Sequence, residues 1–572
     1  MSGLVLLVPC VVAGWLAVNG LHAKAHLTAA RTGVERLQAA VVAENQPRAV
    51  HLLAGVRADA SAARRDTDGV LWRAVSHLPL VGPPMRSVGG IAGAVDDLAG
   101  GPLPTVVATA NQLNPTKVHP AGGHIDLAAL QAAQAPLARA LASVQLSARR
   151  VDALPHATRV GSVDAARVAL ARQLAGLSSS LRSASVAAQL LPPMLGADGP
   201  RRYFVGFQTN AEARGTGGLV GGFAILQADR GAMRVVKTGD NTELGDRTTP
   251  AVDLGAEFTD RYAQYGSTMH WNNSNMSPHF PSAATIWLAM WRARTGQRLD
   301  GAIATDPVAL SHLLAATGPV RLPSGEAITA SNVVRLTEST SYSRFANDNS
   351  ARKAYLQVVA KASLDRVLLA PASRSLLSAL GKSAGEGRLL MFSAHPAEQA
   401  LLAGTLLAGV LPITPRPFAE VVVNNAGGNK LDYYLGRDVT YTAGACQGTR
   451  RPSQVVVRLM NNAPNSGLVS YVGGRLDGEP GQAPGSQRLL VSLYATEGAE
   501  LTSLTVNGRA GGAAVETERR HPVYSVDVNI PGGAASTLQF HLSEPSVRGG
   551  ALFGRQPLVR SMTVHSTVTA CG

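Results

Sequence analysis

The chain has 572 residues, more than one ordinary domain holds, and its length predicts about three units. Hydrophobic residues make up 45% and charged residues 16%, which excludes a globally disordered chain and allows a sizeable core. The net charge of +14 fits either an acidic partner or a genomic bias towards arginine. Because Lys and Arg never run beyond two residues and no nucleic-acid motif is present, we expect no nucleic-acid partner.

An unbroken apolar run, Leu4–Val18, opens the chain, and the first full charge is Lys24. A helix that spans a bilayer needs roughly 20 mostly apolar residues, so residues 1–25 are predicted to be an uncleaved transmembrane anchor. Two alternatives stay open: a signal peptide cleaved at Ala23–Ala25, and a lipoprotein attached through Cys10. The anchor predicts a single-pass protein of the cell membrane with most of the chain outside the cytoplasm.

The sequence has three cysteines, and Cys10 lies in the apolar run. The remaining two, Cys446 and Cys571, suggest a disulfide formed in an oxidising compartment. Two buried free thiols are the alternative. No CxxC motif or Cys/His cluster is present, so we expect no structural zinc site.

Residues 26–198 are predicted to form an α-helical stalk. Val34, Leu37 and Val41 recur at helical spacing, and Leu78–Met85 is rich in proline and glycine and predicts a turn. The later Ala/Leu-rich run Val163–Leu191 also fits a helix. No strict heptad persists, which favours a spacer over a partner-binding coiled coil.

Residues 199–414 are predicted to form a central α/β or α+β domain. Two apolar runs predict strands at Leu219–Leu226 and Met233–Val236, and Asp229-Arg230-Gly231 between them predicts a hairpin turn. The later segment Pro307–Thr317 predicts a helix with Asp306 as its N-cap. Alternation of strands and helices is typical of this class.

Residues 415–572 are predicted to form a β-sandwich. Short strands such as Gln454–Leu459 and Val523–Val528 alternate with Gly, Pro and Asn turns. A disulfide between Cys446 and Cys571 would join the start of this domain to its end.

The first candidate site is the polar, glycine-rich stretch Gln208–Gly218. Glycines allow backbone to approach a ligand, and Arg214 is able to fork onto a phosphate or carboxylate. We therefore assign ligand binding to Asn210, Glu212 and Arg214. The alternative is a buried Glu212–Arg214 pair.

The second candidate site is the stretch Tyr342–Lys353. A helix predicted to start after Asn349 would place Arg352 in its first turn, where a cation makes sense if it shares an anionic ligand with the backbone amides. We therefore predict a phosphate site with Arg344 and Arg352 as catalytic cations and Asp348 as a catalytic residue and ligand of a divalent metal such as Mg²⁺. The alternative is a surface pair of Asp348 and Arg352 beside a helix cap.

The third candidate is the polar loop Asn272–Pro281, from which Asn275 is assigned to ligand binding. The loop precedes a predicted helix, and a purely structural role is the alternative.

Several of these stretches together resemble domain-of-unknown-function family 4012, which is common in envelope proteins of Gram-positive bacteria. The resemblance rests on the turn Leu78–Gly82, the core Asn210–Gly218, and the segments Leu299–Pro307, Thr317–Val320 and Asn429–Tyr434. It covers most of the chain and implies an envelope protein, but no established activity.

A second pattern looks like the later half of the LytR–CpsA–Psr domain: Asp300-Gly-Ala-Ile, Gly318-Pro-Val, and Arg344 with Asp348 and Arg352. That family transfers glycopolymers from a polyprenyl pyrophosphate carrier to peptidoglycan. The resemblance implies a central domain of that fold and a phosphotransferase that binds a polyprenyl-phosphate glycopolymer. The alternative function is a non-catalytic envelope scaffold that binds wall polymer or protein.

Overall fold

The structure is a computed structural model that describes residues 2–43, 45–114, 124–464, 466–478, 483–547 and 549–571. The chain divides into two compact units between Asp198 and Gly199. The first is a helical unit, and the second combines a mixed sheet with a two-sheet β arrangement. Both segments that the sequence analysis treated as separate domains, 199–414 and 415–572, lie in this second unit.

The helical unit consists of α-helices that are rich in Ala and Leu, and several of them are long. Its helices are α1 Ser2–Val42, α2 Gln46–Thr67, α3 Val70–Ser76, α4 Gly82–Gly100, α5 Pro102–Gln112, α6 Leu127–Asp152 and α7 Gly161–Met194. Along α6, the buried residues Ala133, Leu137 and Val144 recur at helical spacing and pack against Leu174 and Leu181 of α7.

The N-terminal helix corrects one prediction. The sequence analysis placed a transmembrane anchor at residues 1–25, within what is now α1. In the described part of the chain, no helix is long and apolar enough to cross a membrane, so the predicted membrane helix is wrong. The apolar run is only the start of a 41-residue helix whose later turns pack Leu37 and Ala40 against Ala49 and Leu53 of α2.

A five-stranded sheet opens the second unit, with strand order β3-β2-β1-β4-β7. Its strands are β1 Arg201–Arg214, β2 Gly217–Asp229, β3 Ala232–Asp240, β4 Gly301–Thr305 and β7 Leu389–Ser393; a small ribbon adds β5 Val320–Arg321 and β6 Ala327–Ile328. The β2–β3 hairpin turns at Arg230 (φ 48°) and Gly231 (φ 87°), which confirms the predicted turn.

The second unit also contains ten α-helices among its described residues. They are α8 Asn241–Leu244, α9 Ala256–Tyr262, α10 Phe280–Thr295, α11 Pro307–Thr317, α12 Val333–Arg335, α13 Ser341–Arg344, α14 Asn349–Leu369, α15 Arg374–Gly385, α16 Pro396–Leu402 and α17 Ser470–Gly473. The core is aromatic: Phe204 of β1 and Phe223 of β2 lie 5.6 Å apart between ring centroids, and Trp287 and Trp291 of α10 pack on them. Asp306 Oδ1 accepts from Ala309 N at 2.7 Å, so the predicted N-cap of α11 is confirmed.

Two further sheets share one core. The six-stranded sheet has the order β13-β12-β16-β10-β9-β18, and the five-stranded sheet has the order β14-β15-β11-β8-β17. The strands are β8 Phe418–Asn425, β9 Leu435–Ala443, β10 Arg450–Asn461, β11 Gln487–Ala495, β12 Glu500–Val506, β13 Arg509–Ala510, β14 Ala514–Glu518, β15 His521–Ile530, β16 Ala535–Pro545, β17 Leu552–Phe553 and β18 Thr563–Val568. Inward residues such as Val423, Val457, Val491 and Phe540 come from both sheets, so the sheets pack face to face.

A disulfide closes this region. Cys446 follows β9 and Cys571 follows β18, and their Cα atoms lie 5.5 Å apart across a sequence separation of 125 residues. The predicted pairing is confirmed.

Candidate functional site

The end of β1 is irregular, and the polar groups of the second unit converge on it. β1 pairs with β2 up to Thr209, and the next pair is Ala213 with Gly218. Buried backbone amides need a partner. Ala211 N donates to Glu338 Oε2 and Ala213 N donates to Asp432 Oδ2, each at 2.7 Å. The side chains of two buried acids, Glu338 and Asp432, therefore satisfy these backbone amides.

Glu338 lies in a π-helical segment, Leu336–Thr340, inserted between α12 and α13. Such insertions re-aim side chains and are frequent at functional sites. Burial raises the pKa of Glu338 to about 8; the Ala211 amide and the Arg352 charge lower it, and the Asp306 charge raises it. The carboxyl group of Glu338 is therefore mostly protonated, and so uncharged, at neutral pH.

Asp432 comes from the short 3₁₀ helix Leu431–Tyr434, which precedes β9. Besides the Ala213 amide, it accepts from Asn425 Nδ2 at 2.8 Å and from Gln487 Nε2 at 2.9 Å. Burial raises its pKa to about 6 against the effect of these donors. Asp432 thus links the irregular end of β1 to β8 and β11.

All N–H donors of the Arg214 guanidinium have acceptors within the protein. A guanidinium has five N–H donors. Its Nε donates to Asn272 O at 2.7 Å. Its terminal nitrogens donate to Ala213 O (2.8 Å), Asn425 O (3.2 Å), Asn273 Oδ1 (3.2 Å) and Glu212 Oε1 (3.4 Å). Five acceptors match five donors, which leaves the guanidinium no donor for a ligand.

Glu212 is buried between two cations. One oxygen accepts from Arg214 and the other from Nζ of Lys430. The structure therefore shows the buried Glu212–Arg214 pair that the sequence left open as an alternative. Lys430 was not assigned to the site; its only signal was its place in the segment Asn429–Tyr434.

The two asparagines also bond backbone. Asn210 Nδ2 donates to Pro557 O at 3.2 Å. Asn275 Nδ2 donates to Gly218 O at 2.8 Å and to Gln208 Oε1 at 2.9 Å. A Cβ atom on Gly218 would lie 2.1 Å from Thr209 O, so this glycine permits close approach of backbone to backbone.

The predicted phosphate residues have separate local partners. Arg344 is exposed and forms a bidentate pair with Glu326 at 2.9 and 3.1 Å. Arg352 is buried, donates to Asn349 Oδ1 at 2.6 Å, and lies over the Tyr342 ring at 4.6 Å. Among the described contacts, none joins Arg344, Arg352 and Arg214 to one another.

Asp348 serves as the N-cap of α14, and its Oδ1 accepts from Ala351 N at 2.8 Å. Within the described residues, no group of three or more His, Cys, Asp or Glu side chains is placed to hold a metal ion. Asp348 thus uses one carboxylate oxygen to cap α14, and its role as a metal ligand stays a prediction.

An aromatic and cationic cluster lies beside this region. Tyr342 and Tyr471 stack with ring centroids 5.8 Å apart. Arg352 and Lys430 lie over Tyr471 at 5.3 and 5.1 Å. Tyr471 is 43% exposed, so its ring connects the buried pair of Glu212 and Lys430 with the protein surface.

Residues 198–342 match the family described as "Protein of unknown function (DUF4012)". This chain carries a DUF4012 region. The DUF4012 region begins at the boundary between the two units and includes the irregular end of β1 and Glu338, whereas Lys430 and Asp432 lie outside it. No curated protein matches the chain, and no solved structure matches it, so the resemblance to the LytR–CpsA–Psr domain is not supported.

Proposed function

We propose that this protein is an extracytoplasmic scaffold of the cell envelope that binds wall polymer. The observation that carries the proposal is the use of Arg214: all five donors of the most prominent cation of the DUF4012 region are spent on internal acceptors. The polar residues of this region hold β1 against the β8–β11 sheet. These polar residues therefore have a structural role, as expected of a rigid binding module.

The disulfide supports the location. Cys446 and Cys571 are bonded, and such bonds persist in oxidising compartments outside the cytoplasm. The net charge of +14 favours an acidic polymer as the partner.

Phosphotransfer from a polyprenyl pyrophosphate is the less favoured version of the function. It requires several cations around one pyrophosphate. Arg344 is occupied by Glu326 at the surface, and Arg352 is stacked between Tyr342 and Asn349. Neither arginine is aimed at a shared site with Arg214.

The test uses the purified full chain in two assays. The first follows cleavage of a short-chain polyprenyl pyrophosphate with and without Mg²⁺. The second measures co-sedimentation with isolated cell-wall polymer, before and after the polymer's anionic groups are removed. The scaffold proposal expects no cleavage, and binding that falls when the anionic groups are lost.

Variants separate the two versions. Arg344→Ala removes an exposed pair and is expected to leave the fold and polymer binding intact. Mg²⁺-dependent cleavage that disappears in Arg344→Ala and Asp348→Asn, with thermal unfolding unchanged, would overturn the scaffold proposal. Failure of the folded protein to bind any wall polymer would equally reject it.

A further inference from the structure

A cationic groove lies in the helical unit, among residues that do not belong to the DUF4012 region. It is formed by α2, α3, α4 and the end of α6, and it has a volume of about 780 Å³. This is the size of sites that bury a small organic ligand, which are about 300–1,000 Å³. Four arginines line it, Arg64, Arg73, Arg86 and Arg150, against two aspartates, Asp68 and Asp97.

Ion pairs with the two aspartates leave the groove with an excess of positive charge, since four arginines face two carboxylates. Arg64 lies 3.6 Å from Asp97, and Arg73 lies 4.0 Å from Asp68. Both separations are longer than a hydrogen bond. Asp97 is instead bonded by Arg150 at 2.6 Å. The guanidinium groups of Arg64 and Arg73 therefore keep donors for another anion.

Glycines of α4, which have no side chain, line the floor of the groove. They are Gly89, Gly90 and Gly93. A Cβ atom on Gly93 would lie 3.2 Å from Arg64 Nη1, and one on Gly90 would lie 2.4 Å from Leu154 Cδ2. The glycines thus let the side chains of Arg64 and Leu154 approach the backbone of α4 closely.

One wall of the groove is apolar. Trp72 and Met85 line it beside Leu154, and Trp72 Nε1 donates to Met85 O at 3.3 Å. This bond fixes the indole at the wall. A ligand with an anionic group and a carbon skeleton would find a partner for each part.

We propose that this groove binds a phosphate-bearing ligand, with Arg64 and Arg73 holding the phosphate and the Trp72 wall packing on its carbon skeleton. Guanidinium forks match the oxygens of phosphate in a bidentate way. The phosphate belongs either to a soluble phosphodiester polymer or to an anionic lipid headgroup. The proposal does not rest on the scaffold function.

The experiment measures binding of pyrophosphate and of a glycerol-phosphate oligomer to the full chain by calorimetry. Flotation with phosphatidylglycerol vesicles, beside phosphatidylcholine vesicles, tests the lipid source. The variant Arg64→Gln/Arg73→Gln removes both guanidinium groups that are proposed to hold the phosphate. Gly93→Leu fills the floor and crowds the Arg64 guanidinium, and it leaves the net charge of the chain unchanged. The control is Arg31→Gln, which removes one exposed charge of α1 that pairs with Glu35.

We expect both groove variants to weaken binding by about tenfold or more, because each loses a bidentate contact or the space for it, and the control to bind as wild type. If the groove variants lose binding to the glycerol-phosphate oligomer, the phosphate belongs to a soluble polymer. If they lose binding only to the phosphatidylglycerol vesicles, the phosphate belongs to a lipid headgroup. Two results would overturn the proposal. One is a folded wild-type chain that binds no probe. The other is binding that Gly93→Leu leaves unchanged, since attraction to net charge alone would then explain it.

Discussion

Replacing the buried acid Glu338 by glutamine should make the second unit more stable at high pH. Glu338 has a pKa of about 8 in the folded protein, against 4.5 for an unperturbed glutamate. Below pH 4.5 both states hold the proton. Between pH 4.5 and 8 the unfolded state releases it and the folded state keeps it, so stability falls as pH rises, and the cost is complete above pH 8.

The magnitude follows from the two pKa values, which differ by about 3.5. At about 1.36 kcal/mol for each unit, the cost above pH 8 is at most about 5 kcal/mol, and we expect about 2–5 kcal/mol. Glu338→Gln cannot ionise, and its amide oxygen still accepts from Ala211 N. The variant should therefore match wild type near pH 4.5 and exceed its stability by this amount at pH 9.

The assay is urea unfolding of the full chain at pH values from 4.5 to 9, combined with hydrogen exchange of peptides that contain Ala211. Wild type and variant are compared at equal pH, so that the intrinsic exchange rate cancels. Glu338→Ala is the control, because it leaves the buried Ala211 amide without its acceptor and should destabilise at every pH by about 1–3 kcal/mol. Equal slopes of stability against pH for wild type and Glu338→Gln would refute the reasoning.

Three further predictions concern Arg214, the disulfide and Asp348. Arg214→Ala leaves the buried Glu212 short of a partner and five acceptors unbonded, so we expect a loss of about 3–5 kcal/mol in thermal unfolding, whereas Arg234→Ala on exposed β3 should change little. Reduction of Cys446–Cys571 opens a loop of 125 residues and should lower the free energy of unfolding by about 5 kcal/mol; urea midpoints that agree with and without reductant would contradict this. Asp348→Ala should lose the α14 cap at a cost of about 1 kcal/mol, while Asp348→Asn should keep it; if both variants are equally destabilised in thermal melts, the cap is not the role of Asp348.

Local chemistry made several elements readable from the sequence. Asp229-Arg230-Gly231 turns the β2–β3 hairpin because glycine takes a positive φ at low cost, and Asp306 caps α11 because its short side chain reaches the amide of Ala309. The pairing of Cys446 with Cys571 followed from the place of the third cysteine. Each of these depends on a few neighbouring residues, or on a count of one residue type.

The transmembrane helix predicted at residues 1–25 is wrong. The apolar run of residues 4–18 is the first part of a helix that continues to Val42, and its later turns are packed by α2. A local window does not contain α2, so the sequence could not supply the packing partner.

The candidate sites show the same division. Residue type and spacing drew attention to Glu212 and Arg214, but their partners, Lys430, Asn425 and Asn272, lie 58 to 218 residues away. Glu338 gave no signal, since its role exists only where β1 leaves the β2 ladder. Turns, caps and the long helices could be predicted from the sequence because they depend on local preferences, and the disulfide because two cysteines remained outside the apolar run. Which charges are satisfied could not be predicted, because burial and hydrogen-bond partners are set by segments that folding brings together from far apart.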